Sequence, residues 1–470
     1  MTEHMRGLSA WADLLAAGRT PRFALICLGV WLNAADALVT ATIMPSVGAD
    51  LGGYAFFSWS VAGFLLGAIL AGASAGRFSE ILGLRPATVV AGLILAAGCV
   101  VSAAASSMSL FLLGRFVQGF GSGWMSGLAM VAIAFLFPER HLGRVFAAVA
   151  AVWGLATIFG PLLGGLMAHA GSWRTVFWLF AGQAVLFSVA ARFLLPGEAT
   201  AARSASVPWR QLALLCIAIA VLGAADISRR ADVALALVGL CLALLVWMLR
   251  VDRQARHRLL PRTAGNLGAV PGAGYAAMFF LTATSVGFLI YAPPLLQQLH
   301  GLTPLAAGYA VAAHAMGWTV AAFVVSGATP RTADRWIRFG ALCIVLGAVL
   351  LTVVMRQSPV PFIVAAAVVM GLGFGFSSAL MNRRVLAALP DDDRATGSSA
   401  LIAVRQAGEA VGAAIAGAVA NLAGFGAGLT LASAQSTAFW VFVAALPLGT
   451  LGALAAWRMT QLPSGPGSQI

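Results

Sequence analysis

Apolar stretches alternate with short polar connections along the whole chain, and most of the stretches are about 20 residues long, enough for a helix to cross a bilayer. Fourteen such helices are predicted. Six come first, at 22–46, 56–76, 87–105, 108–137, 142–170 and 173–195. A central pair follows at 208–225 and 231–250, and six more at 271–298, 303–326, 336–355, 360–382, 397–424 and 435–457. The seventh is the shortest, and it requires Trp209, Arg210 and Gln211 to sit at headgroup level. Polar segments at 196–207 and 251–270 flank the pair. The organisation read from this pattern is a six-helix bundle over 1–195, a linker with two additional helices over 196–270, and a second six-helix bundle over 271–470. The fold class is all-α integral membrane, and the pair is expected to be a spacer between the halves. Pairs of six-span halves, each built from inverted three-span repeats, are a recurrent transporter plan with a central site between the halves.

Composition agrees with membrane depth: 61% of residues are hydrophobic and 9% are charged. The formal charge of +13 invites a nucleic-acid reading, which the placement of the charges argues against. All 28 basic residues are arginine. With the N-terminus in the cytoplasm, 22 of them fall in tails and cytoplasmic loops, and only Arg174, Arg229, Arg230 and Arg356 lie outside. That asymmetry is the positive-inside signature, and it predicts both termini to be cytoplasmic. The first apolar run is too long for a signal-peptide core and reads as a retained span. Five scattered cysteines, Cys27, Cys99, Cys216, Cys241 and Cys343, give neither a disulfide framework nor a metal site.

Against this apolar background the candidate chemistry is sparse. Of fifteen carboxylates, only Asp36 and Glu409 lie deep in apolar stretches, where a charge usually marks a substrate or ion path. Asn33, Asp36 and Thr40 share one face of the first span by their spacing of three and four. In the fourth span Arg115, Gln118 and Ser122 do the same. At 1.5 Å of rise per residue, Asp36 is roughly 21 Å from the cytoplasmic end of its span and Arg115 roughly 10 Å from the outer end of its own. In a core of roughly 30 Å they lie at nearly one level, so a buried interaction, direct or through water, is expected. It is either a static pair orienting two helices or a switch in which proton binding to Asp36 frees Arg115 and shifts the balance of conformations.

Arg405 and Glu409 lie one turn apart in the thirteenth span. They form either an intrahelical ion pair that offsets two burial costs, or a second proton site or selector for cationic substrates. His314 is the only histidine deep in an apolar segment, and it reads as a packing residue or a proton relay. Arg383 and Arg384 close the twelfth span, where snorkelling accounts for them. In the fifth span Gly160 and Gly164, and Pro161 and Gly165, follow small-xxx-small spacing, and Pro161 bends the helix. A close-packed, kinked span suits a rocking seam between halves. Trp31, Trp153, Tyr291, Phe374 and Met381, with the polar Asn33, Thr40 and Gln118, are candidates to line a pocket for flat lipophilic ligands.

These residues resemble the fourteen-span drug:proton antiporter branch of the major facilitator superfamily. Asp36 followed by TATIMPSVGADLGG is similar to that branch's first-span motif, and LLGRFVQGFGSG, with Arg115, to its fourth-span motif, whose Arg is implicated in proton coupling. Gly160, Pro161, Gly164 and Gly165 resemble the core of the fifth-span antiporter motif, with Ala156 where a further Gly is usual. Trp173, Arg174 and the segment VRQAGEAVGAA also resemble relatives. The loop after the second span keeps only the outline of the family's cytoplasmic gate: Glu80 and Arg85 remain, while Ile81 and Leu84 replace basic positions. Glu409 stands where relatives commonly have a small residue. The resemblance implies two six-helix bundles with a two-helix insert, residing in the bacterial cytoplasmic membrane. It implies a secondary transporter, not an enzyme, that uses no cofactor or metal and expels lipophilic small molecules, cationic ones included, by proton antiport. Its expected partners are substrate, protons and membrane lipid, and it is expected to act as a monomer. A dedicated exporter of a lipid, siderophore or natural product, or a proton:solute symporter, is the alternative.

Overall fold

The computed structural model describes residues 20–137, 139–196, 207–227 and 231–463. Among them are fourteen α-helices: α1 Thr20–Leu51, α2 Trp59–Leu82, α3 Leu84–Ala103, α4 Met108–Leu136, α5 Glu139–His169, α6 Trp173–Leu194, α7 Trp209–Ile227, α8 Ala231–Gln254, α9 Val270–His300, α10 Pro304–Val324, α11 Pro330–Val354, α12 Val360–Ala387, α13 Asp391–Leu422 and α14 Leu431–Gln461. Eleven of them are long and apolar enough to cross a membrane among the described residues. The exceptions are α7, whose apolar stretch is the short Trp209–Ala225, α8, and α13, which carries Arg405 and Glu409. The breaks between helices follow local chemistry. Thr303 caps α10 by accepting the Ala306 N–H at 3.3 Å ahead of Pro304, and Thr430 and Ser433 form a reciprocal capping box on α14.

The two halves pack by one scheme. In the first, α4 lies against α2 and α3, α6 against α3, and α1 against α5 and α6. In the second, α12 lies against α10 and α11, α14 against α11, and α9 against α13 and α14. The two main seams between halves, α5 with α10 and α2 with α13, are therefore counterparts. The insert treats them differently. α7 packs on α8 and against both α2 and α13, and the Trp59 indole N–H donates to the Gly223 carbonyl at 3.2 Å. A Cβ at Gly223 would collide with that indole, so α7 seats here only through a glycine. The expected spacer is thus a brace across one seam.

Closure between halves is concentrated at the end opposite Thr20 and Gln461, here the far end. There Tyr54, Phe57, Tyr291 and Phe425 form an aromatic plug with ring centroids 5.2 to 6.4 Å apart. Asn421 donates to the Ala55 carbonyl across the interface at 2.8 Å. Toward the near end, α1 and α2 expose Ala37, Ala73 and Arg77. At the far end of the first half Asp50 accepts from the Trp173 indole at 3.2 Å and from Arg174, which also reaches the Ala105 carbonyl at 2.9 Å.

Arg174, then Trp173, holds the Asp50 carboxyl below the usual carboxylate range. A carboxylate with a depressed folded-state pKa contributes stability above its unfolded value of about 4 and loses it as pH falls through the folded value. Asp50→Asn is accordingly expected to lower the thermal midpoint at neutral pH, with the gap to wild type closing progressively in melts taken below about pH 4.

Candidate functional site

The site is built where α1, α2 and α4 meet. Glycines along α4 set the spacing: a Cβ at Gly119 would fall on the Phe64 backbone, so α2 and α4 approach until side chains on one reach the main chain of the other. Into that contact α4 projects Arg115. Its Nη1 donates to Oδ1 and Oδ2 of Asp36 at 2.9 and 2.8 Å and to the side-chain Oε1 of Gln118 at 2.5 Å. Its Nε donates to the Ser60 carbonyl at 3.1 Å, and its guanidinium lies 4.6 Å from the Phe64 ring centroid. Gln118 in turn donates to the Gly98 carbonyl at 3.1 Å and to Ser102 Oγ at 2.7 Å. Asp36 and Arg115 are 3% and 2% exposed, a direct charge pair in the wall of the first half.

The anchoring is asymmetric. Arg115 is held by Ser60 and Phe64 of α2 and by Gln118 of its own helix, while the interaction from α1 is Asp36. Of the polar stripe on α1, Asn33 also faces α4, donating to Ser126 Oγ at 2.9 Å. Thr40 Oγ1 is buried with no hydrogen-bond partner among the described residues.

One to two turns further along α1 lies the seam. Gly160 of α5 meets Leu38, with Cβ room of 2.8 Å, and Gly164 meets Thr42 and the Val39 carbonyl at 3.1 Å. The other stripe crosses to the second half, where Gly165 lies against Leu305 and Pro161 against Gly308. Gly308 also faces Thr42. The four motif residues thus pin α5 to α1 on one side and to α10 on the other. Glu80 accepts Arg77 at 3.0 Å, and Arg85 donates to the Leu195 carbonyl at 2.6 Å, so these two charges serve helix ends of the first half.

In the second half Arg405 and Glu409 are 3.5 Å apart with side chains 40% and 26% exposed, a loose pair not wholly enclosed by protein. The proposed ligand-lining residues do not gather into one pocket. Trp31 donates to Gln183 of α6 at 3.0 Å, Trp153 is exposed, and Tyr291 belongs to the far-end plug. Gln118 is buried as the support of Arg115. Phe374 and Met381 are buried in α12; Phe374 stacks on Trp318 at 5.1 Å and abuts His314. His314 Nε2 has no hydrogen-bond partner among the described residues, and its ring lies between Phe288 and Phe374. Among the described residues no cluster of His, Cys, Asp and Glu could hold a metal ion. Arg384 does more than snorkel: it pairs with Asp334 at 2.6 Å and caps the Leu462 carbonyl, while Arg383 reaches the Ala328 carbonyl.

Sequence reasoning missed Phe57, Phe425, Ser60 and Phe64. Ser60 acts through its backbone, which no side-chain pattern reveals. The plug joins residues far apart in the chain, although Phe425 within a Gly-rich turn was a local signal.

The family model described as Major Facilitator Superfamily matches residues 26–413. A probable multidrug-efflux transporter of Mycobacterium tuberculosis is 29% identical, with 98% of each chain covered. Multidrug resistance protein 3 of Bacillus subtilis is 23% identical over 84% of this chain and 78% of its own. Among solved structures, a peptide transporter in complex with sulfate aligns with a TM-score of 0.69 at 16% identity, covering 95% of this chain and 96% of its own. A D-xylose-proton symporter aligns at 0.67 and 18% identity, covering 97% and 100%.

Proposed function

This chain belongs to the Major Facilitator Superfamily, an all-α integral membrane transporter and not an enzyme, and from that premise we propose that it is a proton-coupled exporter of lipophilic small molecules. In this reading the near end, where α1 begins and α14 ends, faces the cytoplasm of a bacterial cell, and the conformation is one closed at the far end. The observation that carries the reading is the buried Asp36–Arg115 pair, joined through α1 to the α5–α10 seam.

The asymmetry of its anchoring gives the mechanism. When Asp36 takes a proton, its charge-assisted bonds to Arg115 weaken, and Arg115 stays on α2 and α4 through Ser60, Phe64 and Gln118. What is released is α1. Because Leu38, Val39 and Thr42 on α1 pack on α5, and Thr42 also meets Gly308 of α10, movement of α1 changes the fit of the far-end seam. Protonation from outside, release inside and substrate export then follow as one cycle of alternating access. The relatives named as multidrug-efflux and multidrug-resistance proteins support export of lipophilic compounds. No cofactor enters this cycle; the driving force is the proton gradient.

Glu409 is the substrate-facing acid of this reading. A carboxylate near a cation contributes about 1 to 4 kcal/mol at 4 Å in a wet to half-wet site. Glu409→Gln is therefore expected to cut transport of cationic dyes by about tenfold and leave neutral lipophilic substrates within about twofold. Transport of a panel of cationic, neutral and anionic compounds into proteoliposomes under an imposed pH gradient tests both statements. Equal retention of cationic and neutral transport in Glu409→Gln would remove the selector role, and no gradient-driven transport of any class would remove the exporter.

A further inference from the structure

The near-end base of the insert concentrates charge beyond what orientation in a membrane requires. Arg250, Arg253, Arg256, Arg258 and Arg262 fall within thirteen residues, and Arg210 opens the neighbouring helix α7. Arg210, Arg250, Arg253, Arg256 and Arg262 are exposed. Among the described residues, no ion pair occupies the side chains of Arg210, Arg250, Arg256 or Arg262. Arg253 turns back to the Gly265 carbonyl at 2.9 Å, and Arg258 to the Ala255 carbonyl at 3.3 Å. Both leave guanidinium donors over, and with Pro261, Arg262 and Gly265 they line a small recess that Asp252 also borders.

The turn that presents these groups is held rigidly. The Asp252 carboxylate, 3% exposed, accepts the backbone N–H groups of Leu259 and Leu260 at 2.6 and 3.0 Å. Gln211 of α7 donates to the His257 carbonyl at 3.0 Å, tying the start of one insert helix to the turn after the other. Trp209 and Trp247, 58% and 57% exposed, flank the cluster on α7 and α8. Exposed tryptophans of this kind settle at the boundary between hydrocarbon and headgroup. Together with the exposed Leu240, Leu242 and Val246 on α8, they place the arginines at the depth of lipid phosphates.

We propose that this base is a binding site for the phosphate-bearing headgroup of an anionic membrane lipid, with Arg253, Arg258 and Arg262 contacting the phosphate and Arg250 and Arg256 adding field. Basic clusters just beyond a membrane helix attract anionic headgroups, each arginine by about fivefold. The site has a mechanical reach, because its turn continues to Arg262, whose backbone N–H meets Asp393 at the start of α13, and because α7 braces α2 and α13. A lipid bound here steadies the brace against the seam that does not carry the antiporter motif.

The test is native mass spectrometry of purified full-length protein released from vesicles of equal phosphatidylglycerol and phosphatidylcholine. Wild type is expected to retain phosphatidylglycerol over phosphatidylcholine by at least about fivefold. Arg253→Gln/Arg256→Gln/Arg262→Gln is expected to fall to within about twofold of parity while keeping its thermal midpoint, since these side chains are exposed. The charge-matched control Arg192→Gln/Arg335→Gln/Arg458→Gln, altered at exposed near-end arginines elsewhere, is expected to keep wild-type enrichment. Asp252→Asn separates a built site from simple charge: it adds net positive charge, so Coulomb attraction alone predicts more retention, whereas loss of the rigid turn predicts less. Unchanged enrichment in the triple variant, equal loss in the control, greater retention in Asp252→Asn, or full displacement by millimolar inorganic phosphate would each overturn the proposal. None of these readouts depends on transport.

Discussion

Asp36→Asn is expected to abolish efflux driven by a pH gradient, by at least about a hundredfold, while substrate exchange without a gradient stays within a few-fold of wild type. The reason is in the geometry of the pair. Asn presents one carbonyl oxygen to Arg115 Nη1 in the place of two carboxylate oxygens at 2.8 and 2.9 Å, so one hydrogen bond from the charged guanidinium survives while the counter-charge is lost. No group at that position can then take up or release a proton, and the two conformations exchange without reference to pH. Arg115→Gln removes the other partner. It leaves Asp36 buried without its counter-charge, as Asp36→Asn leaves Arg115, and breaking a buried pair from either side costs about 3 to 5 kcal/mol, so both variants are expected to lower the thermal midpoint. Transport in proteoliposomes is therefore read alongside thermal melts of the same preparations, at a temperature below both midpoints, so that lost coupling is scored on folded protein.

Gly308→Leu is expected to drive the protein out of the closed far-end state. A Cβ at Gly308 would lie 2.8 Å from Thr42 Oγ1 and 3.0 Å from the Pro161 Cβ, and both neighbours belong to the opposite half. Overpacking costs about 1 to 3 kcal/mol, and here the cost falls on one conformation only. A difference of that size moves a two-state balance by roughly 5- to 150-fold. Distances between labels at Ala170 and Ala306, which sit on exposed far-end positions of the two halves, should lengthen and broaden relative to wild type. Gly164→Ala is the matched control: it crowds Thr42 and Val39 within the first half, so it should lower stability without shifting that distance. An unchanged distribution in Gly308→Leu would show that the seam does not govern closure.

Much of this was legible in the chain because membrane depth makes polar residues conspicuous. Asp36 and Arg115 stood out as charges in apolar runs, and helical rise alone placed them level. The small-residue spacing at Gly160, Pro161, Gly164 and Gly165 foretold close packing, although only the structure shows that one stripe faces α1 and the other α10. On the consequence of protonation, spacing and depth suggested that Arg115 is freed; Ser60, Phe64 and Gln118 hold Arg115 in the structure, and the proposed mechanism therefore releases α1 in its place. What stayed hidden depends on contacts between distant segments or on backbone atoms. The Ser60 carbonyl has no signature in side-chain pattern. Arg384 reads as a snorkelling residue until Asp334, fifty positions away, is brought to it by the packing of α11 on α12. An aromatic residue such as Phe374 has the same character in the sequence whether it lines a pocket or fills a helix contact, and α12 buries it. The role of α7 was out of reach because an apolar helix shows a face but not its neighbours.

The central claim is that substrate and proton compete through one conformational balance set at Asp36. Its most direct measurement is the pH of a weakly buffered solution of purified protein as a transported cationic compound is added. The account predicts release of protons from wild type in proportion to substrate bound, and none from Asp36→Asn at equal substrate occupancy. Release of the same size from both proteins would contradict it.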